Sequence, residues 1–427
     1  MENQKLFGQL ISSQIPTINL DFELGTEKII GKETIPELRT RSRISSKHFK
    51  ISHEERNGKH IVKITPLSGN GTWINGERIK EETEIHNFDE ITMLDKKKYS
   101  ESVTFVYYDR EIVDKINEQC ELLKKYTIGA FLGKGQFGVV REIIENETQI
   151  KYALKILEKP YFEILQKQLK TMKEKFEFTQ KKKELKNFEN TVIRECTTME
   201  KVNHENAVRF KEKIDIKEYI FVVMELINGE SLTTKLEKKE LTKENSVDLI
   251  HQLIYLIHHL HSSEINIVHR DLKPDNIMIV AGNRLKLVDF GYGKELDETN
   301  KTATIVRTSY YGAPEMFQEG KYDGKKVDIW SSGVIVFELL VGKHPYKENV
   351  KDIRQLLQAF QDESYKKEEG FFGLKEEYKI LLEGMMEKDP EKRFTAEDCV
   401  KLLKEMELKR ECPVCDEVIE CKRNLTN

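Results

Sequence analysis

Residues His269-Arg270-Asp271-Leu272-Lys273-Pro274-Asp275-Asn276 place a carboxylate, a cation and a carboxamide at the spacing that phosphoryl transfer requires. Asp271 can orient an attacking hydroxyl and accept its proton, Lys273 can neutralise charge on the moving phosphoryl group, and Asn276 can ligate a magnesium ion. A polar turn after an apolar strand would leave the H-R-D and K-x-x-N spacings as coincidence. Asp289-Phe290-Gly291 follows the alternating run Arg284 to Val288 and would present Asp289 to a metal bridging the β and γ phosphates.

Such a site needs elements that hold a nucleotide. Gly133-Lys134-Gly135-Gln136-Phe137-Gly138-Val139-Val140 follows an apolar, strand-like stretch. Small residues at Gly133, Gly135 and Gly138 let backbone N–H groups close over phosphates. The same glycine spacing occurs in dinucleotide sites, but those lack the strand lysine of Tyr152-Ala153-Leu154-Lys155-Ile156. Lys155 can grip the α and β phosphates. Between apolar neighbours it needs an anionic partner, and Glu195, on the helical stretch Val192 to Val202, is the candidate.

With Ala313-Pro314-Glu315 closing the segment that Asp289 opens, the chain resembles a eukaryotic protein kinase over about residues 123 to 408. The resemblance implies an α+β bilobal kinase fold using ATP and Mg2+. Lys273, two places after Asp271, resembles the serine/threonine branch. By the same likeness Met224-Glu225-Leu226-Ile227 is the hinge receiving adenine, with Met224 as gatekeeper and Val140, Ala153 and Met278 around the ring. The nucleotide-side set also takes in Glu230. With Asp275 it is acidic where basophilic relatives meet an arginine, which implies a basic residue three places before the acceptor. The resemblance also pairs Arg393 with Glu315 in a buried clamp, and makes Asp328 the aspartate that holds the catalytic-loop backbone. Arg270 becomes the sensor of a phosphate on the activation segment, with Thr304 the expected phosphorylation site and Thr302 the runner-up. Val306-Arg307-Thr308-Ser309 departs from the family's usual C-G-T-P, which bears on docking of the residue after the acceptor.

Residues 5 to 108 read differently. Short β-rich runs such as Thr17 to Leu20, His60 to Ile64 and Val103 to Tyr107 are broken by Gly, Asn, Pro and Ser turns, the pattern of an antiparallel sandwich. Gly31-Lys32, Ser45-Ser46-Lys47-His48 and Ser68 to Gly76 resemble, in order and spacing, the loop motifs of forkhead-associated (FHA) domains, which bind phosphothreonine peptides. A phosphate dianion wants hydroxyl, amide and cationic donors from several loops at once. Lys32, Ser45, Ser46 and Asn70 are the candidates, with His48 and Gly31 architectural. The family generally has arginine at Lys32, and a lysine meets phosphate as a point charge, not as a fork. The whole chain is thus multidomain, an N-terminal all-β FHA sandwich followed by a bilobal kinase. It resembles the checkpoint effector kinases of the calcium/calmodulin-dependent kinase group. That likeness implies DNA-damage signalling, although Ser13-Gln14 is the only Ser-Gln site ahead of the loop motifs.

A linker at 109–122 joins the two domains. From Glu158 to Asn190 nine lysines and six glutamates give a local balance of 9 − 6 = +3. Phe162, Leu165, Leu169, Met172 and Phe176 recur at helical spacing there. This insertion reads as a solvated helix or as a face that pairs with a second copy in a homodimer on activation. With 34% charged residues and a net charge of −4, direct nucleic-acid binding is not expected. No apolar run approaches the ~20 residues that span a bilayer, so an intracellular protein, nuclear or cytoplasmic, with reduced cysteines is expected. In the tail, 409–427, Cys412, Cys415 and Cys421 resemble half a zinc ribbon without a fourth ligand. Protein substrates and phosphothreonine-containing proteins are the partners implied. The competing function is a phosphopeptide-binding scaffold with a silent kinase fold, against which Lys155, Glu195, Asp271, Asn276 and Asp289 all stand intact.

Overall fold

Short runs rich in apolar and β-branched residues in the first hundred positions build strands. In the computed structural model these are β1 Leu6–Ser12, β2 Asn19–Glu23, β3 Glu27–Ile30, β4 Phe49–Arg56, β5 Lys59–Pro66, β6 Thr72–Ile74, β7 Glu77–Ile79, β8 Thr83–Ile85, β9 Glu90–Met93 and β10 Val103–Asp109. The structure describes residues 6–12, 18–23, 25–56, 59–96, 98–109, 113–114, 116, 120–135, 138–159, 190–216, 219–291, 293–295, 301–302, 310–318, 320–347 and 350–411. Two antiparallel sheets, ordered β2-β1-β10-β9-β6-β7 and β3-β4-β5-β8, share one core. Leu10, Phe22, Ile30, Phe49, Ile51, Ile64, Ile91 and Phe105 meet in it, so the sandwich read from the sequence is what forms.

Beyond it, β11 Tyr126–Gly135, β12 Gly138–Glu145, β13 Lys151–Glu158, β14 Phe210–Asp215 and β15 Tyr219–Glu225 make a five-stranded sheet ordered β11-β12-β13-β15-β14. Its outer core draws on more than its own strands. Phe88 from the sandwich and Ile116 from the linker, both fully buried, pack with Tyr126, Ile128, Ile143, Leu154, Tyr219 and Phe221. The chain forms two compact units. One is Met1–Lys167 with Glu212–Leu226, and the other is Gln168–Lys211 with Ile227–Asn427.

The second unit is mostly helical. In the helix Lys243–His261, Leu249, Ile250, Leu253, Leu256, Ile257 and Leu260 recur at spacings of one, three and four and are buried, and Thr242 caps its start by accepting from Asn245 N–H. The helix Gly324–Val341 is buried along most of its length. Asp323 caps its start, and it ends at Gly342, whose φ of 82° needs glycine. Among the described residues no helix is long and apolar enough to cross a membrane. Thr304, residues 160–189 of the insertion at about 158–190, and Cys412, Cys415 and Cys421 lie outside the described residues.

Candidate active site

In the second unit, the strand Ile267–Val268 delivers the chain to His269. Arg270 then adopts a φ of +65°, a left-handed backbone that costs a non-glycine residue about 1–2 kcal/mol. Asp328, wholly buried in the helix Gly324–Val341, accepts from the His269 and Arg270 N–H groups at 2.7 Å each, and His261 Nε2 lies 3.1 Å from the same carboxylate. Charge-assisted bonds of this kind contribute about 1.5–3 kcal/mol each, enough to hold the loop in that shape.

The loop brings three predicted groups together. Lys273 Nζ donates to Asp271 Oδ2 at 2.7 Å, and Asn276 Nδ2 donates to Oδ2 at 3.0 Å and to the Asp271 carbonyl at 2.8 Å. Pro274–Asn276 is a single 3-10 turn that runs straight into the strand Ile277–Val280, where Met278 pairs with Ser231 and Lys286. The Asn276 carbonyl in turn accepts from Val288 N–H at 3.0 Å. Asp289 Oδ1 accepts from Gly291 N–H at 2.9 Å. A side chain at Gly291 would stand 3.1 Å from that oxygen and 3.9 Å from Glu195 Oε2, so Glu195, on the helix at 190–201, lies in the neighbourhood of Asp289.

In the first unit, the glycine hairpin is the turn between β11 and β12, with Gly135 opposite Gly138. A Cβ on Gly138 would meet the Ile156 carbonyl oxygen at 2.0 Å, so no other residue fits there, whereas Gly133 faces open space. Val140 lies directly across from Lys155, and Ala153 across from Met224. Lys155 is 9% exposed. Glu225 ends β15 in this unit, while Ile227 and Glu230 belong to the second. There Lys235 and Lys238 each hold one oxygen of Glu230 and keep its carboxyl low, at about 2. The arginine-reading role expected of Glu230 therefore meets a carboxylate already engaged.

Two groups escaped the sequence reading. Arg194 sits beside Glu195 on the helix at 190–201. Burial holds both Arg194 and Arg270 below the ordinary arginine value, and Arg194's charge bears directly on Arg270. Two like charges that feel one another, one half-buried and one buried, favour an added anion nearby, and Arg270 also bonds Tyr322 and feels the Asp328 charge. A cation one residue before the helix glutamate was the available signal. Thr302 lies in the short strand Lys301–Thr302, paired with Tyr322–Asp323. Arg393 grips Glu315 with two bonds, 2.6 and 3.0 Å, which is the buried clamp the resemblance implied, here in bidentate form.

At the end of the sandwich, Lys32, Ser45 and Asn70 converge. Lys32 Nζ donates to the Ser42 carbonyl at 3.1 Å, Ser45 Oγ lies 2.6 Å from Ser68 Oγ, and Asn70 Nδ2 donates to the Arg43 carbonyl at 2.7 Å. Ser46 is exposed on the same loop. Ser68 is the second missed residue, since Asn70 N–H also donates to its hydroxyl. His48, fully buried, accepts from Ser45 N–H on Nδ1 and therefore donates from Nε2 to the Gly71 carbonyl, 2.7 Å away. Burial lowers its pKa, which keeps this neutral tautomer. A Cβ on Gly31 would stand 2.2 Å from the Ser46 carbonyl oxygen. Both residues shape the loops.

Comparison with known proteins bears on both regions. A family model described as "Protein kinase domain" matches residues 126–402, and one described as "FHA domain" matches 30–94. The chain is 32% identical over 412 residues to "Probable serine/threonine-protein kinase fhkC" of Dictyostelium discoideum, covering 93% of this chain and 64% of that protein. It is 28% identical over 372 residues to "Ovarian-specific serine/threonine-protein kinase Lok" of Drosophila melanogaster, covering 84% and 73%. It is 30% identical over 306 residues to "Probable serine/threonine-protein kinase fhkD" of Dictyostelium discoideum, covering 67% and 38%. The chain thus spans less than two thirds of the first and third of these relatives.

Proposed function

Because the chain belongs to the protein kinase family and carries an FHA domain ahead of its kinase domain, we propose that it transfers the γ-phosphoryl group of ATP to serine or threonine hydroxyls of proteins. The convergence of Lys273 and Asn276 on Asp271 carries this reading. Among the described residues both side-chain donors reach Oδ2, leaving Oδ1 to orient a substrate hydroxyl and take its proton. Lys273, held beside that carboxylate, is placed to offset charge gathering on the transferred group.

The residues fit a magnesium ion. Asn276 uses its amide hydrogens on Asp271, so its side chain offers a metal only the carbonyl oxygen. Asp289, with Oδ1 bonded to Gly291, has Oδ2 to offer. Hard oxygen donors of this kind suit Mg2+, which would offset the negative charge of the nucleotide phosphates. Lys155, Glu195 and the glycine hairpin supply the nucleotide side of the proposal. Met224, Glu225, Ile227, Val140, Ala153 and Met278 supply the adenine side.

The domains proposed are residues 5–108 for phosphothreonine recognition through Lys32, Ser45, Ser46 and Asn70, and 123–408 for the kinase. Arg194 and Arg270 support regulation by a phosphate on the activation segment, at Thr304 or Thr302. Recruitment through phosphothreonine, and a place in DNA-damage checkpoint signalling, extend the reading at the level of the family. The test is transfer of labelled phosphate from magnesium ATP to a serine/threonine peptide library, with Asp271→Asn as control. Equal incorporation by the two proteins refutes it.

A further inference from the structure

The strand β11, which leads into the glycine hairpin, is irregular. Its register against β12 shifts between Ile128 and Phe131 and again between Phe131 and Gly133. A bulge strands backbone groups that the ladder would otherwise pair, and an unpaired buried group is costly. Here two partners come from outside the strand. Phe131 N–H donates to Glu90 Oε2 of the sandwich at 2.9 Å, and the Gly129 carbonyl accepts from Arg141 at 2.6 Å.

Arg141 stands opposite Phe131 on β12, is 0% exposed, and donates its other terminal nitrogen to the Phe88 carbonyl at 2.7 Å. Glu90 is 1% exposed and also pairs with Lys96. Phe88 holds a φ of +70°, with its ring edge-on to Tyr108, Tyr219 and Phe221 at 5.7–6.4 Å. The turn is anchored from behind. Asn75 donates its backbone N–H to the Glu90 carbonyl at 2.8 Å, accepts from Glu90 N–H at 2.9 Å, and donates its side-chain amide to Asp89 at 2.6 Å. A fully buried carboxylate and guanidinium from two domains, each giving one bond to the other domain's backbone, form a built joint and not a glancing contact.

We propose that Glu90 is a positioning residue for nucleotide binding: from the FHA domain it fixes the bulge two residues before Gly133, so that the phosphate-binding hairpin is set by the neighbouring domain. This inference rests on the kinase reading above for its ATP consequence, while the joint itself does not. Truncating Glu90 frees the Phe131 amide and leaves Arg141 buried beside a lost charge. Glutamine keeps an oxygen at the same reach.

The experiment uses the full chain as wild type, Glu90→Ala and Glu90→Gln, with ATP kinetics, affinity for a fluorescent ATP analogue, and affinity for a phosphothreonine peptide. Glu90→Ala raises the KM for ATP and the analogue Kd about tenfold, or about 1.4 kcal/mol. Its kcat stays within about twofold, its peptide affinity is unchanged, and Glu90→Gln recovers most of the loss. An alanine variant with wild-type nucleotide affinity overturns the proposal, as does a glutamine variant no better than alanine. Hydrogen exchange on the wild-type chain covers the case in which alanine fails to fold: the Phe131 amide exchanges as slowly as the sheet core, and exchange at exposed-loop rates overturns the joint directly. If the wild type transfers no phosphate, the kinase reading fails, whereas the analogue and exchange results still decide this inference.

Discussion

Replacing Arg393 by alanine should destabilise the second unit more than other single changes outside the catalytic loop. The side chain is wholly buried, holds both Glu315 oxygens at 2.6 and 3.0 Å, and donates to the carbonyls of Glu387 and Lys326 at 2.8 Å each. Its guanidinium also lies 5.0 Å from the centre of the Trp330 ring. Breaking a buried pair costs roughly 3–5 kcal/mol, because the surviving carboxylate stays desolvated without its partner, and Glu315 is only 12% exposed. At roughly 2–4 °C per kcal/mol for a body of this size, the melting temperature falls by about 6–20 °C. Differential scanning calorimetry of the full chain reads the shift, with urea titration as a check on the free energy. Arg393→Lys should lose more than half as much, since one ammonium cannot meet two oxygens and two carbonyls at once. The double variant Arg393→Met with Glu315→Gln should be less damaged than the sum of the single changes, because neither charge is left stranded. A drop under about 2 °C for Arg393→Ala, or strict additivity in the double variant, would refute the reasoning.

Three further outcomes follow from single sites. Burial pushes the Glu338 carboxyl from 4.5 up to about 7 in the folded protein, where it accepts from the Tyr311 hydroxyl at 2.9 Å. The folded state therefore holds a proton that the unfolded state has lost, so stability falls as pH rises from about 4.5 to about 7. Glu338→Gln should gain on wild type across that window in paired denaturation curves. Taking the difference cancels the nearby His344, which burial lowers to about 3, and a flat difference contradicts the assignment. Gly31→Ala, which drives a methyl group into the Ser46 carbonyl, should cost the sandwich about 1–3 kcal/mol and abolish phosphothreonine peptide binding in calorimetric titration. Lys32→Arg should tighten that binding several-fold by offering phosphate a fork in place of a point charge, and weaker binding would argue that Lys32 is not a phosphate ligand.

Much of the site could be read from one dimension because its chemistry is packed into short motifs. The stretch from His269 to Asn276 contains both the carboxylate and the two donors that meet it, and within eight residues a 3-10 turn can bring them together. Gly31 and His48 are of the same kind, since a clash at 2.2 Å or a buried ring between two loops selects residue types that stand out. Ser68 and Arg194 did not stand out, because a serine in a turn and an arginine on a helix are ordinary until their neighbours are known.

Local spacing along the polymer determined the catalytic loop, the glycine hairpin, the loops at the end of the sandwich and the order of the two domains. All of these depend on contacts between near neighbours or on residue types that few environments tolerate. Tertiary structure alone decided that Glu90 would reach Phe131, 41 residues on, and that Phe88 would enter another domain's core. It also decided that Lys235 and Lys238 would occupy Glu230. Hydrogen bonds and burial between distant segments depend on how whole sheets and helices pack, and no periodicity within either partner encodes the position of the other.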